Sequence, residues 1–150
     1  MFKPQPDFSR HGYALGSVEV YGGPLLDTWF DRDLSLAGRV VLRSGEQRLI
    51  HSGPIARIPN LAIHLDRSVI ESRTIDRQAH LVPVLGMGEV DLIGLMAREA
   101  GSDRAEVAGF DVRLADTQAP GMLGADASLL AAGRLDNLLS VFTSMVALRD

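Results

Sequence analysis

Asp136 is the residue of this sequence whose position suggests metal chemistry most directly. It stands with Asn137 immediately before an apolar helical run and after the loop-forming residues Gly133 and Arg134. A short side-chain oxygen at such a place is typical of a helix N-cap, which accepts hydrogen bonds from the free N–H groups of the first turn. A carboxylate held rigidly at a strand-to-helix junction can instead bridge two metal ions roughly 3.5–4 Å apart. The local pattern favours the N-cap, and one carboxylate cannot establish a metal site.

His64 is the second candidate, and it lies between aliphatic residues, with Ile63 before it and Leu65 after it. Such surroundings favour a half-buried structural histidine held by hydrogen bonds, whereas a neutral imidazole in the same place can also serve a ligand. The other histidines stand alone, without the spacing of a metal-binding pair, and are predicted to be surface or structural residues. They are His11, His51 and His80.

The residues Asp31, Arg32 and Asp33, directly after Trp29 and Phe30, place one guanidinium beside two carboxylates. The simplest interpretation is a solvated, ion-paired turn, because a guanidinium can bind a carboxylate through two parallel hydrogen bonds. A small-molecule binding module is a weaker interpretation, since it depends on this turn and on the mixed fold alone.

The sequence lacks motifs for nucleotide binding and for nucleophilic catalysis. The pair Gly86 and Gly88 is not followed by the later glycine of a dinucleotide-binding loop. Ser140 has no nucleophile elbow around it, and no catalytic triad can be assembled. The absence of cysteine excludes thiolate nucleophiles and cysteine zinc ligands, so that any metal must bind His, Asp or Glu.

The composition indicates one folded domain, with 150 residues of which 46% are hydrophobic and 23% charged. A net charge of −4 with scattered Lys and Arg argues against a nucleic-acid partner. No apolar signal segment follows Met1, and no stretch reaches the roughly 20 apolar residues of a membrane span, so secretion and membrane insertion are disfavoured. Together with the absence of cysteine, this pattern favours the cytoplasm.

The elements that must position these side chains begin with strands. Residues 34–42 alternate apolar and polar side chains with a period of two, as a strand with one buried face does. A short turn then allows residues 48–51 to return as the second strand of a hairpin. Residues 17–21 indicate a further strand that ends at two glycines. The apolar run 80–85 contains Pro83 and suits a strand end or a sheet edge.

Helical spacing appears in the second half of the chain. Residues 89–100 carry apolar side chains at this spacing, with acidic residues at the start, and Gly101 suits the position just after the helix. Residues 107–116 return to the alternation of a strand, residues 119–124 are typical of a loop, and a second helix is predicted from about Asp136. The residues alone therefore predict a mixed domain of strands and helices.

Four segments, in order along the chain, resemble the aspartyl aminopeptidase family. They are VEVYGG at 18–23, TWFDRDLSLAGRV at 28–40, RIPNLAIHL at 57–65 and RLDNL at 134–138, with smaller similarities in HLVPVL at 80–85 and LADTQ at 114–118. The ordered series is highly specific, above all the block from Trp29 to Val40. The resemblance covers nearly the whole chain.

Members of that family are cytosolic metallopeptidases that remove N-terminal Asp or Glu from peptides with two divalent metal ions, usually zinc. The resemblance implies an α+β fold, in which residues 1–115 form mostly a β-rich assembly domain with short helices. Residues 116–150 would return to an incomplete α/β catalytic domain as a strand and a helix. It also implies a homo-oligomer, dimer-based and dodecameric in the family. By the same resemblance, Asp136 bridges the two metals, and His64 is lent to a neighbouring subunit's substrate pocket.

The resemblance further implies that the chain is an internal piece of such an enzyme. In the family a first histidine ligand precedes the segment that residues 2–4 resemble, and the catalytic glutamates, a further acidic ligand and a distal histidine follow the position of Asp150. A dinuclear site needs several ligands, so we expect the isolated chain neither to bind zinc tightly nor to hydrolyse peptides. The alternative is a non-catalytic interaction domain that self-associates or docks on a complete peptidase.

Overall fold

Strands dominate the part of the chain that the computed structural model describes, which is residues 1–149 with every side chain except that of Ser68. The chain divides into two units, Met1–Thr117 and Gln118–Asp150. Among the described residues, the first unit contains six strands and one α-helix, and the second contains a two-stranded hairpin and one α-helix. The α+β class is confirmed. The assignment of residues 1–115 to an assembly domain and 116–150 to a catalytic domain stays a prediction.

A three-stranded antiparallel sheet in the order β4-β3-β6 forms the centre of the first unit. Strand β3 spans Leu34–Leu42, β4 spans Gln47–Ala56 and β6 spans Val107–Asp116. Both strands predicted from period-two alternation are confirmed, and so is the hairpin, with β4 longer than predicted. Gly38 in the middle of β3 faces Ile50 of β4 on one side and Val112 of β6 on the other. This sheet is the framework from which the connections with candidate site residues emerge.

A second antiparallel sheet has the order β1-β2-β5. Strand β1 spans Phe2–Arg10, β2 spans Tyr13–Val18 and β5 spans Val84–Met87. The strand predicted at 17–21 is wrong in position, because the observed strand β2 begins at Tyr13 and ends at Val18. Within β2, the N–H of Gly16 donates to the carbonyl of Pro83 at 2.8 Å. Strand β1 was not predicted. It contains Pro4 and Pro6, which lack an N–H donor and are tolerated because β1 is an edge strand.

Helix α1, Leu92–Glu99, confirms the first predicted helix and begins three residues later than predicted. The Asp91 side chain accepts a hydrogen bond from the Gly94 N–H at 2.9 Å and so caps the first turn. Gly101, with φ of +63°, follows the last turn, where a left-handed residue is favourable. The buried face of α1 presents Leu92 and Met96 to the main core.

Two apolar clusters hold the first unit together. The main cluster joins both sheets to α1, and the second lies beside the chain segments that lead into β3 and out of β4. The main cluster is Phe2, Leu36, Val40, Leu42, Ile50, Leu92, Met96, Ala100 and Val112, and the second is Phe30, Leu34, Ala56, Ile58 and Leu81. Short 3-10 helices at Leu26–Trp29, Ser68–Ile70 and Arg104–Glu106 complete the unit. The second cluster anchors the segment that carries His64.

The second unit consists of a short hairpin and a long helix. Strands β7, Gly121–Leu123, and β8, Leu129–Ala131, pair antiparallel, so the loop predicted at 119–124 is wrong at its centre. Helix α2, Leu135–Arg149, confirms the predicted C-terminal helix. None of the α-helices in residues 1–149 has the length and apolar character needed to span a membrane.

Candidate functional site

His64 lies in the long connection between β4 and β5, residues 57–83. The backbone forms a turn here, because the N–H groups of Leu65 and Asp66 both donate to the carbonyl of Ala62, at 2.8 and 3.2 Å. The imidazole of His64 is exposed, and it forms no hydrogen bond or ion pair with the rest of the described chain. The ring is therefore available to an external group.

The aliphatic neighbours of His64 are exposed as well. Leu61 is 64% exposed, Ile63 39% and Leu65 75%. The expectation of a half-buried structural histidine held by hydrogen bonds is wrong. It is wrong because burial of a turn requires a second element packed on top of it, and within residues 1–149 no such element covers this one.

The start of the connection is fixed by Asp31. Its carboxylate accepts two hydrogen bonds from Asn60, one from the backbone N–H at 3.1 Å and one from the side-chain amide at 2.7 Å. These bonds favour the charged carboxylate and lower the pKa of Asp31, the backbone bond being the larger cause. The backbone of Asp31 also pairs with the connection, since its N–H donates to the carbonyl of Ile58 at 2.9 Å.

The charged residues next to Asp31 in this turn form ion pairs. Arg32 forms an ion pair with Asp116, and Arg57 forms one with Asp33 at 3.4 Å. The turn is ion-paired as predicted, but its ion pairs run to Asp116 and Arg57, which lie outside the three predicted residues. Sequence reasoning missed Asn60 as the partner of Asp31, since a contact over 29 residues leaves no local signal.

The far end of the connection is fixed by Arg73 and by a turn before β5. The Arg73 guanidinium lies 3.7 Å from the centre of the Phe30 ring and 3.6 Å from the Asp27 carboxylate. In the following turn, the N–H of Asp76 donates to Nδ1 of His80 at 3.0 Å. His80 is thus a structural histidine on the surface, as predicted.

Asp136 lies at the start of α2, where the backbone is not yet helical. Its φ and ψ are −83° and 112°, and those of Asn137 are −114° and 18°, so regular helix begins after them. The Asp136 side chain is exposed and makes no hydrogen bond with any described residue. The capping bond expected from the local pattern is therefore missing, in contrast to Asp91 at α1. Both carboxylate oxygens remain available.

The described residues do not fit a complete zinc centre. No three side chains of His, Asp or Glu within residues 1–149 lie close enough together to hold a metal ion. His11 and His51 are exposed, and the ring of His51 lies 3.5 Å from the Ser35 hydroxyl. A metal centre that used Asp136 would therefore need its other ligands from outside the described residues.

A family model described as aminopeptidase I zinc metalloprotease (M18) matches residues 1–150. The chain belongs to the M18 family. The probable M18 family aminopeptidase 2 of Streptomyces avermitilis is 48% identical over 152 residues, which cover 97% of this chain and 35% of the relative. The protein of the same description from Pseudomonas syringae pv. tomato is 46% identical over 158 residues, which cover 97% of this chain and 37% of the relative.

Solved M18-like structures share the fold over nearly the whole chain. A chain of the Ape4 and Nbr1 complex, determined by cryo-EM, matches with a TM-score of 0.89 and 33% identity, over 98% of this chain and 33% of its own length. The S. cerevisiae mApe1 dodecamer matches with a TM-score of 0.77 and 28% identity, over 98% of this chain and 35% of its own. The chain thus spans about a third of the length of the relatives and solved structures that it matches. The roles of Asp136 and His64 stay predictions.

Proposed function

We propose that this chain supplies oligomer assembly, the metal-bridging carboxylate Asp136 and the substrate-binding His64 to a cytoplasmic M18 enzyme. That enzyme uses two zinc ions to release N-terminal Asp or Glu from peptides. The observation that carries the proposal is that the side chains of Asp136 and His64 are exposed and have no hydrogen-bond or ion-pair partner in the described chain. The family model that matches residues 1–150 supports it. A structural role would leave each side chain bonded to its own fold, as Asp91 is.

The case for Asp136 is its availability at a defined backbone position. Its two oxygens accept no hydrogen bond from the described residues, and the helix that follows limits how the residue can move. A carboxylate in this state can bind one metal ion with each oxygen. Zinc sites in enzymes have at least three protein ligands, so the remaining ligands must come from other parts of the enzyme.

The case for His64 is the match between its chemistry and an acidic substrate. A protonated imidazole has two N–H donors, and a carboxylate is an acceptor-only group, so the pair forms a charge-assisted hydrogen bond. The exposed turn of His64 makes the ring accessible to a neighbouring subunit. The exposed aliphatic side chains Leu61, Leu65 and Ile70 on the same connection favour coverage by another copy of the chain.

Experiments on the isolated chain test whether the other zinc ligands lie in the rest of the enzyme. We expect calorimetry to detect no submicromolar zinc binding, and an Asp-linked chromogenic amide to show no turnover. Stoichiometric, submicromolar zinc binding by this chain would mean that it holds a complete site, contrary to the proposal. Light scattering after size exclusion tests assembly, because a strict monomer at high concentration would contradict it.

The intact enzyme that contains this segment tests the two residues. Asp136→Asn should lower kcat/KM by more than about a hundredfold with loss of bound zinc. His64→Asn should lower kcat/KM for an N-terminal Asp substrate by about tenfold or more, because a hydrogen bond to a charged group is lost. The matched control is His11→Asn, since His11 is exposed in the β1–β2 turn and has no proposed role. Equal effects of the two histidine substitutions would refute the role of His64.

An interaction domain without a catalytic contribution makes the opposite prediction for the same variants. Such a domain would self-associate or dock on a peptidase, and Asp136→Asn would then change neither zinc content nor kcat/KM. The exposed, unbonded carboxylate of Asp136 favours the ligand role.

A further inference from the structure

The connection that carries His64 leaves the body of the first unit at a defined place. Its two ends pair through backbone hydrogen bonds, with the Arg57 N–H donating to the Val84 carbonyl at 3.0 Å and the Val84 N–H to the Arg57 carbonyl at 2.8 Å. Ile58, 4% exposed, is the last buried residue before His64. From residue 59 to residue 65 every residue is exposed, so the orientation of this stretch depends on few contacts.

Among the described residues, Asn60 provides the side-chain and backbone hydrogen bonds that tie the stretch 59–65 to the body of the unit. Both go to the carboxylate of Asp31, at 3.1 Å from the backbone N–H and 2.7 Å from the side-chain amide. The side chains of residues 61–65 make no hydrogen bond or ion pair with the rest of the described chain. The turn closed by Ala62 follows directly, and His64 lies within it.

Asp31 is itself held firmly, which makes it a suitable anchor. Its N–H donates to the Ile58 carbonyl at 2.9 Å, and its carbonyl accepts from the Arg57 guanidinium at 2.7 Å. Its φ of +57° lies in the left-handed region, which Asp and Asn tolerate better than most side chains. The adjacent Phe30 is buried in the second cluster. The carboxylate therefore projects from a fixed backbone towards Asn60.

We propose that Asp31 is a positioning residue that orients the His64 turn for substrate binding by holding Asn60. This inference rests on the proposed function of His64 as a substrate-binding residue. Weakening of the Asn60 bonds lowers the fraction of molecules in which the turn is correctly placed, and the apparent substrate affinity falls by that fraction. Saturating substrate selects the correct placement again. The effect therefore appears in KM and leaves kcat nearly unchanged.

The substitution Asp31→Asn isolates this effect. An amide at position 31 tolerates the positive φ and keeps one oxygen for the Asn60 N–H. Its NH₂ group can donate to the Asn60 side-chain oxygen once that amide turns over, so both contacts remain but neither is charge-assisted. Asp33→Asn is the matched control, with the same chemical change two positions away on a carboxylate that contacts Arg57 and not Asn60. The double variant Asp31→Asn with Asn60→Asp restores a charge-assisted bond in the reverse direction, because the amide at position 31 then donates to the carboxylate at position 60.

Backbone ¹⁵N relaxation of the 150-residue chain measures the positioning directly. We expect the order parameters of residues 61–65 to fall below about 0.6 in Asp31→Asn, while those of β3 and β4 stay near about 0.85. The Asp33→Asn control and the double variant should retain the values of the parent chain. Unchanged order parameters in Asp31→Asn would overturn the inference.

Kinetics of the intact enzyme supply the functional measurement. Asp31→Asn should raise KM for an N-terminal Asp substrate by about threefold to fivefold, because neutral hydrogen bonds replace charge-assisted ones, with kcat nearly unchanged and with the double variant restoring KM. If His64→Asn raises KM and Asp31→Asn does not, the positioning role is refuted and the role of His64 stands. If His64→Asn itself leaves KM unchanged, the proposed function of His64 fails.

Discussion

Gly38 lies where the central strand β3 runs close to the backbone of β6. A Cβ atom added at position 38 would meet the backbone oxygen of Asp111 at 2.2 Å and the Cα of Val112 at 2.7 Å. Both contacts are with backbone, which cannot rotate away as a side chain can. Because β3 pairs on both sides, through Ile50 and Val112, a shift of its backbone would disturb two ladders. The substitution Gly38→Ala should therefore destabilise the first unit.

The magnitude follows from the geometry of this contact. Forcing one extra carbon into a packed interior usually costs 1–3 kcal/mol, and a fixed backbone neighbour places Gly38→Ala at the upper end, about 3 kcal/mol. With a urea m-value of about 2 kcal/mol/M for a small protein, the midpoint should fall by about 1.5 M. The control Gly109→Ala lies on β6 of the same sheet, where an added Cβ meets nothing within 4 Å. It should raise stability by about 0.5 kcal/mol, because alanine loses less backbone entropy on folding.

Urea unfolding followed by tryptophan fluorescence is the appropriate assay. Trp29 is the single tryptophan and packs against the second apolar cluster, so its signal reports on the first unit. This matters because a chain of two units need not unfold in one transition. Similar midpoints for Gly38→Ala and Gly109→Ala would show that β6 moves freely away from β3, and would refute the argument from the close approach.

Two further predictions concern the capping carboxylate of α1 and the effect of acid. Asp91→Ala should lower stability by about 1 kcal/mol in the same urea assay, because the Gly94 N–H loses its acceptor, and an unchanged midpoint would contradict the capping role. Backbone hydrogen bonds lower the pKa values of the Asp91 and Asp31 carboxyls. The folding stability that these charged carboxylates contribute is therefore fully present above the ordinary carboxyl pKa of about 4, and it is lost as pH falls further. The stability difference between the parent chain and Asp91→Ala should therefore shrink below about pH 4, and a constant difference down to about pH 2 would contradict this linkage.

The sequence predicted β3, β6 and α1 well because one face of each is buried. In β3 and β6 the side chains of Leu36, Val40 and Val112 are fully buried, and their alternation with polar residues is visible in the sequence. Helix α1 was equally clear, since Leu92 and Met96 lie one turn apart on its buried face. In these elements the local pattern and the tertiary packing agree.

The strands that were missed differ in why local patterns did not reveal them. Strand β7 and its partner β8 contain mostly exposed residues, so no alternation marks them, and pairing between Gly121 and Ala131 defines them instead. Strand β1 contains Pro4 and Pro6, which argue against a strand unless its position at the edge is known. Position within a sheet depends on residues far away in the sequence, and local patterns do not report it.

The two candidate site residues show the same limit at the level of single side chains. The aliphatic residues around His64 indicate that the segment will be buried, yet Leu61 and Leu65 remain exposed in the described chain. A sequence pattern reports that a surface is apolar and does not report which chain covers it. Asp136 shows the converse, since its position predicted a bond within its own helix that the structure lacks. For both residues, the difference between local pattern and observed contacts is what favours a partner outside this chain, which is the arrangement proposed for the intact M18 enzyme.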